Sequence, residues 1–231
     1  MLRLDRQKTK QQLLQNAISL AVGLSSLIHL HNLKSLSSIC KFWDSFLIPI
    51  ILIGEIMKLF LSNYYSFSEM QKNQTNLNKK KQGFLAADKM LAIFIQCAMV
   101  VLYGFSCILL GAPVLQDYEK TCILSIILTL LTVSPLVFLL GAGGALQVWF
   151  CEKVENIVKA EEVYISLYKY HAIGAILGAW LGSVVVPLDW DSDWQEYPIP
   201  NVIGALCGSG VATLISTTCV LYKIWSAFLS Y

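Results

Sequence analysis

Met90-Leu-Ala-Ile-Phe-Ile-Gln-Cys-Ala-Met-Val-Val-Leu-Tyr-Gly-Phe-Ser-Cys-Ile-Leu-Leu-Gly-Ala112 runs for 23 residues without one charged side chain. A helix crossing the hydrocarbon layer needs about 20 mostly apolar residues, so this stretch is long enough to span a membrane. The rest of the chain agrees. Of its 231 residues 56% are hydrophobic and 14% charged, with a mean hydropathy of +0.60. A soluble domain carries charge on about a quarter of its residues, and a disordered chain is poor in apolar residues and rich in charge. Both classes are excluded. The net charge of +2 is too small to indicate a nucleic-acid partner.

Five further windows of comparable character flank this span: about 14–30, 42–61, 122–146, 170–188 and 202–222. The expected fold is therefore an all-α integral membrane protein of about six transmembrane helices, one polytopic membrane domain over 1–231. The Gln-rich stretch after the basic N-terminus, with no convincing small-residue cleavage site, argues for a retained first helix rather than a signal peptide. Residues 62–89 are polar, rich in Asn, Gln and Lys, and are expected to form an exposed connection.

Lys and Arg in the short loops set orientation. With the N-terminus in the cytosol, Arg3, Arg6, Lys8, Lys10, Lys72, Lys79, Lys80, Lys81, Lys89, Lys153, Lys159 and Lys169 fall on the cytosolic side. Only Lys34, Lys41 and Lys120 fall opposite. Both termini are thus expected in the cytosol and the hairpin 189–200 on the lumenal or extracellular side. The sequon Asn73-Gln-Thr75 would then face the cytosol and stay unglycosylated.

The seven cysteines, at 40, 97, 107, 122, 151, 207 and 219, form no C-x-x-C pair and lie mostly in apolar runs. They read as small hydrophobes, not as disulfide or zinc ligands. The histidines, His29, His31 and His171, lack acidic or cysteine partners at a recognisable spacing. No nucleophile elbow, zinc-binding H-E-x-x-H helix or phosphate loop is present. No catalytic centre, cofactor or metal site is expected.

Three features remain. Gly174, Gly178 and Gly182 recur every four residues, as do Gly204, Gly208 and Ala212, which stacks each set on one helix face. Such stripes let membrane helices approach closely, and here they imply a tight hairpin of the last two spans. Glu55 and Lys58, three apart in the second span, share a face. They could pair, line a substrate path, or divide, with Lys58 snorkelling to the headgroups. The hairpin Pro187-Leu-Asp-Trp-Asp-Ser-Asp-Trp-Gln-Glu-Tyr-Pro-Ile-Pro200 is acidic, aromatic and proline-rich. Its alternating Asp residues fit a calcium loop poorly, because the glycine at the sixth position is missing. Its Trp and Tyr suit an interfacial anchor and a docking surface together.

Gly178-Ala-Trp-Leu-Gly182, Pro187-Leu-Asp-Trp190, Trp194-Gln, Pro198-Ile and Gly204-Ala together resemble the signature of the phosphatidylinositol-glycan biosynthesis class F family. Leu110-Gly-Ala-Pro-Val114 and Leu139-Leu-Gly141 are similar to two further segments of that family. The likeness is dense over roughly 30 residues and looser over the last two thirds of the chain. It implies a multi-span endoplasmic-reticulum protein without catalysis of its own. Such a protein stabilises the large lumenal-domain enzymes that transfer ethanolamine phosphate in glycosylphosphatidylinositol (GPI) anchor synthesis. The partner- or lipid-interface candidates are Gly174, Gly178, Trp180, Gly182, Pro187, Asp189, Trp190, Trp194, Pro198, Gly204 and Gly208. Ser192 and Asp193 replace a basic residue and a proline of the family pattern. From a different class, a small lipid or solute transporter using Glu55 and Lys58 is the alternative.

Overall fold

A computed structural model of the chain describes residues 2–32, 46–70, 81–113, 118–150, 159–188 and 192–229. Among the described residues every regular element is helical. The helices are α1 (Leu2–Asn32), α2 (Leu47–Met70), α3 (Lys81–Leu109), α4 (Tyr118–Thr132), α5 (Ser134–Phe150), α6 (Lys159–Ser183) and α7 (Ile199–Leu229). Among the described residues three stretches are long and apolar enough to cross a membrane: Thr9–Leu30, Lys89–Leu109 and Ile199–Tyr222.

Several boundaries depart from the sequence reading. Much of 62–89 is helical, because α2 continues to Met70 and α3 begins at Lys81. Asn73 and Thr75 lie outside the described residues. The expected span 122–146 is not one helix. It is interrupted at Val133, between α4 and α5, where Pro135 has no N–H to give to Leu131 O and its ring crowds that carbonyl, while the Val133 N–H still bonds Thr129 O and the Val137 N–H bonds Val133 O, each at 3.0 Å. A second break lies inside α5 at Gly141, whose φ of 74° and ψ of 173° are open essentially to glycine alone.

Other helix ends follow from local chemistry. After α3, the Gly111 N–H bonds Ile108 O at 3.0 Å and the Ala112 N–H bonds Cys107 O at 3.0 Å. With Gly111 at φ 100° this is a Schellman stop, and Pro113 prevents the helix from resuming. Helix α6 ends at Ser183, ahead of three valines and Pro187, which disfavours helical backbone at Val186. The expected end at 188 is thus five residues late.

Helix α4 is the centre of the bundle. Ile123, Leu124, Ile127 and Leu128 are buried, and so are Thr121, Ser125, Thr129 and Thr132. The hydroxyls of Ser125, Thr129 and Thr132 donate to carbonyls four residues back, at 2.7–2.8 Å, so the buried face of the helix carries no unmet hydroxyl there. Leu47 and Ile51 of α2, with Ile199, Val202 and Leu206 of α7, close around it. Helix α3 behaves oppositely. Phe94, Val101, Phe105 and Leu109 are all exposed, as befits a face that meets hydrocarbon rather than water.

Candidate functional site

The family-like segments meet at one end of the bundle. Gln195 lies in a 3₁₀ turn, Asp193–Gln195, between α6 and α7. Its Nε2 donates to Val185 O at 3.0 Å and to Leu188 O, tying the hairpin to the turn after α6. Tyr197 donates to Thr121 Oγ1 at 3.3 Å, and Thr121 donates in turn to Pro113 O at 3.3 Å. Burial pushes the Tyr197 phenol up, so its hydroxyl keeps the proton it donates. Lys120 Nζ meets Glu196 Oε1 at 2.7 Å. The Gly111-Ala-Pro113 stop, the start of α4 and the hairpin are thereby one unit. Trp194 is at this end with its side chain exposed, and Pro198 is buried.

Below it runs the glycine seam. A Cβ on Gly178 would stand 2.0 Å from Gly204 O, and one on Gly204 would stand 2.1 Å from Gly178 O. On Gly174 it would meet Gly208 O at 2.6 Å, and on Gly182 Pro200 O at 2.2 Å. No side chain fits at these distances. The tight hairpin implied by the two stripes is therefore what the structure shows. It also changes the standing of these residues: Gly174, Gly178, Gly182, Gly204 and Gly208 face one another and leave no room for a partner helix between them. Asn201 Nδ2 adds a bond to Ala179 O at 3.2 Å across the seam. Trp180 points elsewhere and is 56% exposed, and Pro187 is exposed as well. Asp189 and Trp190 lie outside the described residues.

Glu55 and Lys58 form a second cluster. Lys58 Nζ meets Glu55 Oε1 at 2.5 Å, with the two residues only 6% and 2% exposed. Of the readings open in the sequence, pairing is the one the structure adopts, and Lys58 does not snorkel outward. Around Lys58 lie Gln12, Gln15, Asn16 and Ser19 of α1, Tyr168 and His171 of α6, and Thr213 and Ser216 of α7. Asn16 Nδ2 donates to Ser216 Oγ at 2.9 Å and Thr217 Oγ1 at 3.1 Å. The Tyr168 hydroxyl donates to Gln15 Oε1 at 3.0 Å. Polar bonds of this kind hold membrane helices together at roughly 0.6–2 kcal/mol each.

Sequence reasoning missed this lining. The signal was present: 12, 15, 16 and 19 follow the i, i+3, i+4, i+7 pattern of one helix face. The expected span 170–188 would put His171 at a helix end. It sits well inside α6 instead, and its Nδ1 bonds Leu131 O at 3.2 Å.

Known proteins match the chain over most of its length. The family model described as GPI biosynthesis protein family Pig-F matches residues 19–217. "Glycosylphosphatidylinositol anchor biosynthesis protein 11" of Debaryomyces hansenii is 32% identical over 155 residues, covering 66% of this chain and 61% of that protein. "GPI ethanolamine phosphate transferase, stabilizing subunit" of Homo sapiens is 31% identical over 147 residues, covering 62% of this chain and 61% of its own. A "PIGF/3-ketodihydrosphingosine reductase fusion protein" of Schizosaccharomyces pombe is 33% identical over 116 residues, covering 50% of this chain and 22% of its own. The chain thus spans about three fifths of the first and second of these and about a fifth of the fusion protein. No solved structure matches. With the match running over most of its length, the chain belongs to the GPI biosynthesis protein family Pig-F.

Proposed function

We propose that this protein is a non-catalytic accessory subunit that stabilises an ethanolamine phosphate transferase of GPI-anchor synthesis in the endoplasmic-reticulum membrane. The observation that carries the reading is the Homo sapiens relative, named as a stabilizing subunit of such an enzyme. The geometry supports it. The signature segments build a braced platform of Gln195, Tyr197, Thr121 and Pro113, with Trp194 left exposed on it. An exposed Trp on a rigid support is the kind of group that carries interface energy. On this reading the chain makes six passes, counting α4 and α5 as one, with both termini in the cytosol. The platform then faces the lumen, beside the partner's catalytic domain. Trp180 on α6 meets the partner's membrane helices or lipid, since the glycine seam is closed to both.

The test is purification of the tagged protein in gentle detergent from its own cells, with mass spectrometry of what co-purifies. A large phosphoethanolamine transferase at near-equal amount is the expected result. Trp190→Ala with Trp194→Ala should lower its recovery; unchanged recovery with unchanged anchor synthesis rules the docking role out.

A second reading, a small lipid or solute transporter, draws on the buried Glu55–Lys58 pair and the broken span at Pro135. Neutralising both charges separates the two readings. Intact anchor synthesis in the double variant removes transport as the needed activity.

A further inference from the structure

The polar lining around Lys58 is not wholly accounted for by helix-to-helix bonds. Gln12 is 6% exposed and its Nε2 has no hydrogen-bond partner. Lys58 offers three N–H groups and directs one at Glu55 Oε1. A carbonyl can only accept, so the His171 Nδ1 that bonds Leu131 O carries a proton, which leaves Nε2 of the neutral ring as an acceptor. All three side chains line one cavity of about 20 Å³. That volume holds about one water-sized group.

The mixture of donors and acceptor selects the occupant. A metal ion is opposed by the Lys58 ammonium. A phosphoryl oxygen accepts from Gln12 and Lys58 but has no hydrogen for His171 Nε2. It would also bring a negative charge to a pair that Glu55 has already balanced. A hydroxyl oxygen accepts from both donors and donates to the imidazole, at no cost in net charge. We propose that this cavity, between α1, α2, α6 and α7, binds one neutral hydroxylic oxygen, supplied by water or by the polyol headgroup of a lipid. The ligand completes the hydrogen bonding of Gln12 and His171 and hydrates the buried ion pair.

The experiment is solid-state NMR of the full chain, with its histidines labelled with nitrogen-15, in bilayers of phosphatidylcholine alone and with added phosphatidylinositol. Expected in phosphatidylcholine is a neutral Nδ1-protonated ring for His171, with magnetisation passing to Nε2 from protons that exchange with bulk water. Water is then the source. Transfer from inositol protons after phosphatidylinositol is added, with the water signal lost, assigns the source to the headgroup and equally supports the site. Gln12→Met removes a donor without removing a recorded protein contact, and should reduce the transfer at least twofold in a folded chain. Should Gln12→Met fail to fold, Ser19→Ala in the same lining serves as the folded background. In that background the water-to-Nε2 transfer must persist. A dry His171 Nε2 in both bilayers overturns the proposal, as does a ring protonated on both nitrogens or unaltered transfer in folded Gln12→Met.

Discussion

His171 Nδ1 lies 3.2 Å from Leu131 O, the carbonyl that Pro135 deprives of its helical partner. An imidazole on α6 thus replaces the N–H that α5 lacks, 40 residues away in sequence. A buried carbonyl left without a donor costs about 1–3 kcal/mol. Replacing His171 by Phe should therefore lower stability by about that amount. In a Pro135→Ala background the restored N–H should make the same change smaller. The check is a double-mutant cycle on thermal unfolding in nanodiscs; strict additivity would show that the two residues do not serve one carbonyl.

Glu55 and Lys58 present a different balance. Removing one partner of a buried pair leaves a charge uncompensated, at about 3–5 kcal/mol, whereas replacing both is often neutral. Lys58→Met alone should sharply reduce the folded yield. Glu55→Leu with Lys58→Met should recover most of it, as read by the monodisperse fraction on size exclusion.

The glycine seam allows a steric prediction. Gly178→Ala sets a Cβ 2.0 Å from a backbone carbonyl, which no side-chain adjustment relieves. Helices α6 and α7 must separate, and overpacking of this kind costs about 1–3 kcal/mol or more. Gly23→Ala and Gly210→Ala, where an added Cβ would meet nothing within 4 Å, serve as controls that should leave the unfolding midpoint nearly unchanged.

Gly141 is constrained by its backbone rather than by neighbours. At φ 74° and ψ 173° any Cβ is strained, so Gly141→Ala should lose about 1–3 kcal/mol. Comparing the unfolding midpoints of Gly141→Ala and the wild type measures it. An unshifted midpoint would mean that α5 runs unbroken there.

How much of this was legible in the sequence depended on whether the determining contact was local. The tight hairpin could be read directly, because a missing Cβ every four residues has few physical meanings in a membrane helix. The sequence did not say that the seam closes within the chain instead of against a partner, since the same stripe serves either. Pro135 was visible too, yet one proline does not decide whether a span bends or breaks. That outcome needed a donor for Leu131 O, and the donor sits on another helix. The polar face of α1 was readable by spacing, but glutamines near a basic terminus look like solvent-facing chain until α2, α6 and α7 are placed around them. The acidic and aromatic character of 189–200 was plain. Its bracing by Gln195 and Tyr197 was not, because Tyr197 reaches Thr121, 76 residues back, and the carbonyls that Gln195 meets depend on how the chain turns after α6.

A stripe that repeats every four residues also carries an ambiguity. If α7 slid by one helical turn along α6 in one direction, Gly178 would meet Gly208 and Gly182 would meet Gly204, and the seam alone would barely resist. What forbids the slip is aperiodic: Asn201 on Ala179 O, Gln195 on the turn after α6, and Asn16 of α1 gripping Ser216 and Thr217. These few amides act as the detents of an otherwise smooth ratchet, so the register of α7 against its neighbours is held by hydrogen bonds rather than by the packing that brings the helices together.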